Sequence, residues 1–437
     1  MLAGKLGFLD KLSGDKVFVG YDLCRRYAQI SYCFAGGGQP ETISTVAGGE
    51  NYNIPLALCK RRGVNQWFYG KEACRYAQEG DGTLVENLLE LARDKERVSI
   101  EGEEFEPVAL LALFIKRSLS LLSGICPQER IGGIMFTCDG MDRETLEIID
   151  RAVSGLGLKT QNIFCQGHVE SIYYYNISQQ PQLWNHQVLV CDYQEDRIRI
   201  YLMERNLKTS PVVVLIGEDM YPFRAVLSIP VQEDQRQEVF QGMDREFLEL
   251  MQRVCEGRLI SSVYLLGDGF RGEWLNDSLV FLCRNRRVFQ GNNLFSKGAC
   301  YSLTEKNNPS EAGKSHVFLG SDKLKANIGM RVLRRGADSY FALLDAGTSW
   351  FEARRELDFL LESGCGFTVL ITPLNGREVR TVEIRLEGIP ERPEGTTRLR
   401  LAADMPDVCS VRLCIEDMGF GEIFPASGMQ WTETLEV

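Results

Sequence analysis

The stretch KVFVGYDLCRRYAQISYCF, residues 16–34, is the part of the sequence that decides the fold. Its apolar residues alternate on either side of a polar turn at residues 24–26, a pattern typical of two antiparallel strands in a hairpin. The stretch VLVCDYQEDRIRIYL, residues 188–202, repeats this order of apolar run, aspartate, polar turn and alternating return strand. The repeat predicts two lobes, each built on a mixed β-sheet, whose hairpins face one cleft.

Beyond the hairpins, the sequence patterns predict an α/β region, a linker and a β region. Four segments have helical periodicity: residues 83–95, 107–123, 142–158 and 243–258. The second is apolar all round, which indicates a buried helix. We therefore expect an α/β domain at residues 16–301. Residues 302–315 are rich in Asn, Ser, Glu, Lys and Pro, as in a linker, and short alternating segments then predict an all-β domain at residues 316–427.

The amino-acid composition limits the kinds of binding partner and the cellular compartment that we expect for this protein. The chain has 437 residues, 44% hydrophobic and 25% charged, with a net charge of −11 and a pI near 5.1. Such a balance is typical of globular domains and argues against a nucleic-acid or anionic membrane surface. The first twenty residues contain no apolar run typical of a signal peptide, and no stretch approaches the twenty apolar residues of a membrane span. We expect a cytoplasmic protein.

The fourteen cysteines form no CxxC pair, and there are only three histidines. No spacing indicates a metal site, so no metal is expected. Cys33, Cys191, Cys283 and Cys300 fall in apolar segments, where a thiol behaves as a small hydrophobic group. We therefore predict buried, reduced thiols with no disulfide partner.

A co-linear series of segments resembles the DnaK-type heat-shock chaperones. GYDLCRRYAQISYC (20–33) resembles their phosphate-binding hairpin, SVYLLGDGFRGEWL (262–275) their adenosine-binding strand, and NLFSKGACYSL (293–303) the helix that closes their nucleotide domain. LEGIPERPEG (386–395) and CSVRLCIEDMGFGE (409–422) resemble the end of their peptide-binding domain. The resemblance spans residues 16–424. It implies an α/β actin-like (ribonuclease H-like) two-lobed nucleotide-binding domain followed by an all-β sandwich.

The resemblance also implies a site for ATP or ADP with Mg²⁺. It assigns nucleotide binding to Asp22, Arg25, Asp192, Gly267, Gly269 and Arg271. Glycine belongs in such a site because a side chain blocks close approach of the backbone to phosphate. An alternative for Asp22 and Asp192 is that they are ordinary turn residues at strand ends.

The catalytic positions depart from the family pattern. The family's Gly-Thr-Thr is replaced by residues 24–26, and its glycine-rich second turn by residues 193–196, which include two carboxylates. Gln166 stands where the family has its catalytic glutamate, and an amide cannot act as a general base. The family's catalytic lysine has no clear counterpart. Nucleotide binding is therefore expected to be weak or absent, and no residue is assigned a catalytic role.

The same resemblance assigns a peptide-binding pocket to Met330, Leu333, Phe367 and Val369. The alternative is that these residues belong to the core of the β domain. No counterpart of the family's helical lid precedes Val437.

Three functions follow as hypotheses. The first is a chaperone-like or scaffold protein that binds an unknown protein or peptide client, with a degenerate nucleotide site. The second is an active ATP-dependent chaperone, and the third a filament-forming or regulatory actin-like protein. The linker is polar for its first dozen residues, which predicts weak coupling between the two domains.

Overall fold

The computed structural model describes residues 16–46, 48–158, 160, 162–228, 233–374 and 378–437. The first fifteen residues, on which the signal-peptide expectation partly rests, lie outside the described residues. The described chain divides into two compact units. The α/β unit comprises residues 16–205 and 216–314, and the β unit comprises residues 206–215 and 315–437.

The first half of the α/β unit alternates strands and helices. Its strands are β1 (Val17–Leu23), β2 (Tyr27–Phe34), β3 (Glu41–Thr42), β4 (Ile54–Pro55), β5 (Leu58–Arg61), β6 (Trp67–Tyr69), β7 (Gly82–Val85), β8 (Val98–Ile100), β9 (Glu103–Phe105), β10 (Ile131–Cys138) and β11 (Ile163–Gly167). Its helices are α1 (Gly70–Gln78), α2 (Leu88–Asp94), α3 (Pro107–Leu119), α4 (Arg143–Ser154) and α5 (His168–Ile177).

The first large sheet has the strand order β11-β10-β1-β2-β3, and β4 also pairs with β2. β1 and β2 form the predicted antiparallel hairpin, while β1, β10 and β11 run parallel. Every residue of β1 is buried, because strands flank it on both edges and the sheet is covered.

The second half of the α/β unit repeats this construction. Its strands are β12 (Gln187–Gln194), β13 (Arg197–Asn206), β14 (Val212–Pro222), β15 (Ile260–Leu266) and β16 (Arg287–Gln290), and its helices are α6 (Glu233–Cys255), α7 (Asp277–Leu282), α8 (Leu294–Asn307) and α9 (Glu311–Ser315). The strand order is β16-β15-β12-β13-β14. β12 and β13 form the second hairpin, and β12, β15 and β16 run parallel. The internal repeat predicted from the sequence is therefore confirmed.

Two glycines allow helix α8 to pack closely, one against the first sheet and one against α5. A Cβ on Gly20 of β1 would lie 2.0 Å from the carbonyl oxygen of Ser296, and the Gly20 N–H donates to Cys300 Sγ at 3.0 Å. A Cβ on Gly298 would lie 2.1 Å from the carbonyl oxygen of Ser171 in α5. Only glycine allows these backbones to approach so closely.

The β unit is built almost entirely from antiparallel strands. Its strands are β17 (His316–Phe318), β18 (Ala326–Arg334), β19 (Ala337–Leu344), β20 (Arg354–Leu361), β21 (Gly366–Pro373), β22 (Arg380–Arg385), β23 (Thr397–Asp407), β24 (Ser410–Asp417) and β25 (Gln430–Glu436). They form two four-stranded sheets, β19-β18-β21-β22 and β20-β23-β24-β25, which contribute to one hydrophobic core. Short β17 instead pairs in parallel with residues 212–214. The prediction of a mixed α/β region followed by an antiparallel β region is confirmed.

Several local predictions differ from the structure. Residues 82–85 form β7 rather than the start of the helix predicted at 83–95, because this segment pairs with β5. The segment 302–315, predicted as a linker from its polar composition, begins inside α8, where Leu303 is fully buried. Cys283, expected to be buried, is exposed because it follows the last turn of α7.

The apolar helix α3 and the turn after it are relevant to whether the chain contains a membrane-spanning helix. Among the described residues, the segment Pro107–Gly124 is long and apolar enough to cross a membrane by length and composition, with a mean hydropathy of 1.4. Half of it is buried inside the fold, as in the core helices of many proteins. It is therefore weak support for a membrane span.

Candidate functional site

The carboxyl ends of the parallel strands β1, β10 and β11 gather polar groups at one edge of the first sheet. Asp22 lies near the end of β1 and Cys24 follows two residues later, so both side chains leave the strand on the same face. His168 is the first residue of α5, directly after β11. Ligand crevices in open α/β sheets form at this edge of a sheet.

His168 is held by two contacts. Its Nε2 donates to Oδ1 of the buried Asp22 at 2.7 Å, and its ring stacks on Phe295 with centroids 4.0 Å apart. Burial lowers the pKa of His168, but the neighbouring carboxylates, Asp22 foremost, more than offset this, so the pKa is raised above its ordinary value. The imidazole is thus fixed in orientation and faces negative charge.

Cys24 completes a cluster with these two residues. Its Sγ lies 3.4 Å from each carboxylate oxygen of Asp22. Burial and the adjacent Asp22 carboxylate raise the pKa of the thiol well above its ordinary value. The potential ligand atoms of Asp22, Cys24 and His168 all lie within 4.8 Å of one another, so these residues could together hold a metal ion.

The turn of the second hairpin lies against the turn of the first. Gln194 Nε2 donates to the Tyr27 hydroxyl at 3.0 Å and to Asp192 Oδ1 at 3.1 Å. Asp192 itself is half-buried, and burial raises its pKa to about 6 against the lowering effect of His168 and Arg199. The carboxylate of Asp22 also contributes to raising the pKa of Asp192, so the two aspartates interact although they belong to different hairpins.

The charged residues of the two hairpin turns pair with one another. Arg26 Nε lies 3.0 Å from Glu195 Oε1, and Arg25 Nη1 lies 3.9 Å from Glu195 Oε2. Arg25 Nε also pairs with Glu90 at 2.5 Å. Glu195 has a φ of +55°, a left-handed conformation that favours glycine. Ion pairs of Arg25 and Arg26 with Glu195 thus join the two turns, which the sequence analysis considered separately.

Gln166 is buried and does not point to an exposed surface. Its Nε2 donates to Ser171 Oγ at 2.7 Å, and Ser171 Oγ in turn is 2.8 Å from Thr137 Oγ1. Its Oε1 accepts no hydrogen bond from the described residues. The side chain is therefore engaged by Ser171 of α5.

The glycines assigned to adenosine binding pack against the second hairpin. A Cβ on Gly267, which has a φ of +95°, would lie 2.3 Å from the carbonyl oxygen of Tyr193. A Cβ on Gly269 would lie 2.2 Å from the Tyr193 ring. Arg271 pairs with Asp268 at 3.1 Å. Protein packing alone therefore accounts for glycine at both positions.

Three of the four residues assigned to a peptide pocket lie on the core of the β unit, and only Leu333 lies apart from it. Met330 and Val369 are directly paired across β18 and β21 and are buried in the core. Phe367 is partly buried on the same core, whereas Leu333 is 58% exposed. Leu333 is three residues from Met330, and because strand side chains alternate, it lies on the opposite face of β18.

The sequence analysis missed His168, Cys24 and Tyr27 as site residues. Cys24 could have been noticed from the Asp-x-Cys spacing at a strand end, since both residues then share a face. His168 lies 146 residues from Asp22, and no local pattern signals that the two meet.

Comparisons with known families match nearly the whole chain. The profile of a family of unknown function (DUF5716), C-terminal part, matches residues 39–321. The profile of a domain of unknown function (DUF8552) matches residues 323–437. No curated protein matches the chain. Neither profile is that of the DnaK-type chaperones, so that resemblance remains an interpretation of the sequence.

Proposed function

The chain belongs to the DUF5716 family of unknown function, and we propose that it is a non-hydrolysing relative of the DnaK-type chaperones that serves as a binding scaffold. In this proposal residues 16–301 form an actin-like, two-lobed domain and residues 316–427 a β-sandwich. The partner is a protein or peptide in the cytoplasm rather than nucleic acid or membrane, in keeping with the net charge of −11. ATP or ADP with Mg²⁺ binds weakly or not at all.

Two features of the fold support the actin-like part of this proposal. The sheets β11-β10-β1-β2 and β16-β15-β12-β13 repeat one construction, with a hairpin followed by two parallel strands. Asp22 and Asp192 lie near the ends of β1 and β12, the first strands of the two hairpins, and their carboxylates interact electrostatically. Duplicated sheets with a site between them are the arrangement that the resemblance implies.

The observation that carries the expected loss of nucleotide binding and hydrolysis is the acidic turn of the second hairpin, which contacts the turn of the first. Arg25 and Arg26 are 60% and 56% exposed, so each of their pairs with Glu195 contributes at most about 1 kcal/mol. Breaking both pairs would weaken phosphate binding by about thirtyfold at most. The larger penalty comes from Glu195 and Asp196 themselves, since a carboxylate about 4 Å from a phosphate costs roughly 1–4 kcal/mol.

An active ATP-dependent chaperone is the second candidate. Asp22 and Asp192 favour it, because both are retained at strand ends and act on one another electrostatically. This candidate requires Mg²⁺ between these carboxylates and a base other than Gln166.

Measurements of ATP hydrolysis and of nucleotide binding distinguish the scaffold from the active chaperone. We expect purified full-length protein to release no phosphate above background and to show no change in thermal midpoint with Mg·ATP. A ligand at a hundred times its Kd adds about 2.7 kcal/mol of stability, which such an assay detects easily. Mg²⁺-dependent hydrolysis that Asp22→Asn abolishes would replace our proposal with the active chaperone.

Partner binding is tested with a fluorescent, extended apolar peptide. Leu333 is the most exposed of the four assigned residues, and burial of a leucine contributes about 1.5 kcal/mol or more. Leu333→Ser should therefore weaken peptide binding by roughly tenfold. Leu360→Ser is the matched control, because Leu360 is 49% exposed on a strand of the other sheet. Absence of nucleotide-independent peptide binding by the wild type contradicts the scaffold function, and equal weakening by both variants contradicts the assignment to Leu333.

A further inference from the structure

We propose that Asp22, Cys24 and His168 form a site for a thiophilic divalent cation of the Zn²⁺ class. The three donors are a carboxylate, a thiol and an imidazole, which is a ligand set that zinc binds in proteins. Asp22 and His168 are buried, and Cys24 is partly buried beside them. This inference is independent of nucleotide binding and of the proposed scaffold function.

The spacing of the donor atoms is close to that of a tetrahedral site. With bond lengths of about 2.0–2.3 Å, ligand atoms around tetrahedral zinc lie roughly 3.4–3.6 Å apart. Cys24 Sγ is 3.4 Å from both Asp22 oxygens. The 2.7 Å hydrogen bond between His168 Nε2 and Asp22 Oδ1 has to open by about 0.7 Å, with the metal replacing the shared proton.

The surroundings favour a cation at this point. The ring of His168 is held by its stack on Phe295, so Nε2 stays directed at Asp22. The carboxylates of Asp139 and Asp192 add negative potential around His168, and Asp139 is itself paired with Arg199. Three protein ligands leave one tetrahedral position for water or a partner's donor group.

The donor set distinguishes zinc from magnesium. Mg²⁺ prefers six oxygen ligands and binds thiols and imidazoles poorly, whereas Zn²⁺ binds both. A site for Mg²⁺ would draw on Asp22 and Asp192 alone and leave Cys24 and His168 without a role.

The geometry disfavours a cysteine nucleophile as the role of this cluster. An activated thiol donates to its base, as in a Cys–His pair. Here the Cys24 thiol donates to Asp22, and the imidazole N–H donates to the same carboxylate. The shared carboxylate therefore keeps the thiol and the imidazole close together, as a common metal ion would require.

The test uses full-length protein freed of metal and titrated with Co²⁺ as a spectroscopic substitute for Zn²⁺. We expect one equivalent to give a thiolate-to-cobalt charge-transfer band, which Zn²⁺ removes and excess Mg²⁺ does not. Cys24→Ser should abolish this band and weaken Zn²⁺ binding, measured against a chromophoric chelator, by at least tenfold. His168→Gln should weaken Zn²⁺ binding similarly. Cys283→Ser is the matched control, since Cys283 is exposed directly after α7, and should leave both measurements unchanged.

Each contrary result is decisive. A wild-type protein without the charge-transfer band, a band that persists in Cys24→Ser, or displacement of Co²⁺ by Mg²⁺ overturns the site. Should Cys24→Ser fail to fold, alkylation of the wild type followed by peptide mass spectrometry replaces it. Zn²⁺ is then expected to protect Cys24 from alkylation, and equal labelling with and without Zn²⁺ overturns the proposal.

Discussion

Arg392 and Asp417 form a buried ion pair in the β unit. Two guanidinium nitrogens lie 2.6 and 2.7 Å from the two carboxylate oxygens, and both side chains are almost fully buried. Asp417 also accepts from the backbone N–H of Gly419 and of Ser427. Removing one charge leaves the other buried without a partner, so we expect Asp417→Asn to lower the free energy of unfolding by about 3 kcal/mol in a denaturant titration.

A matched control and a pH series test this assignment. Asp358→Asn removes an exposed pair with Arg400 and should lower the free energy of unfolding far less, because solvent screens exposed ion pairs. Arg392 holds the pKa of Asp417 below its usual range, so the unfolded chain takes up the proton first as pH falls. The stabilisation is therefore complete above about pH 4 and is lost at lower pH. Equal acid sensitivity of wild type and Asp417→Asn between pH 5 and 3 would contradict the role of this pair.

At the scale of elements, α8 is positioned by close contact with α5. A Cβ on Gly298 would collide with the backbone of Ser171, so Gly298→Ala should destabilise the α/β unit by about 1–3 kcal/mol. Gly242 lies in the exposed middle of α6 with open space around it. Gly242→Ala should therefore stabilise by about 0.5–1 kcal/mol, because alanine favours the helix. In chemical denaturation we expect Gly298→Ala to lower the free energy of unfolding and Gly242→Ala to raise it. A lower free energy of unfolding in both variants would contradict this prediction.

At the scale of the whole molecule, the two units have separate hydrophobic cores. One surrounds Trp274 and Phe247, and the other surrounds Leu401 and Leu413. We expect two transitions in calorimetry. Gly298→Ala should lower the thermal midpoint of the α/β unit by several degrees. Asp417→Asn should lower that of the β unit by roughly 10 °C. A single transition that both substitutions shift equally would show one cooperative unit instead.

The sequence by itself determined the elements whose signals are local. Alternating apolar residues around residues 24–26 and 195–196 specified both hairpins, because side chains of a strand alternate between its faces. The segments that contain Arg392 and Asp417 were singled out only by a family resemblance, and the ion pair between these residues is visible only in the structure. The strand β7 was mistaken for helix because its partner β5 lies more than twenty residues away.

Only the tertiary structure decided the site. Asp22 and His168 meet across 146 residues, and the arginines of one turn find the carboxylate of the other across a similar distance. Likewise, Met330 and Leu333 could not be assigned to core and surface until the strand pairing of β18 was known. Sequence periodicity indicates on which face of its own helix or strand a residue lies, whereas a functional site depends on which elements pack together.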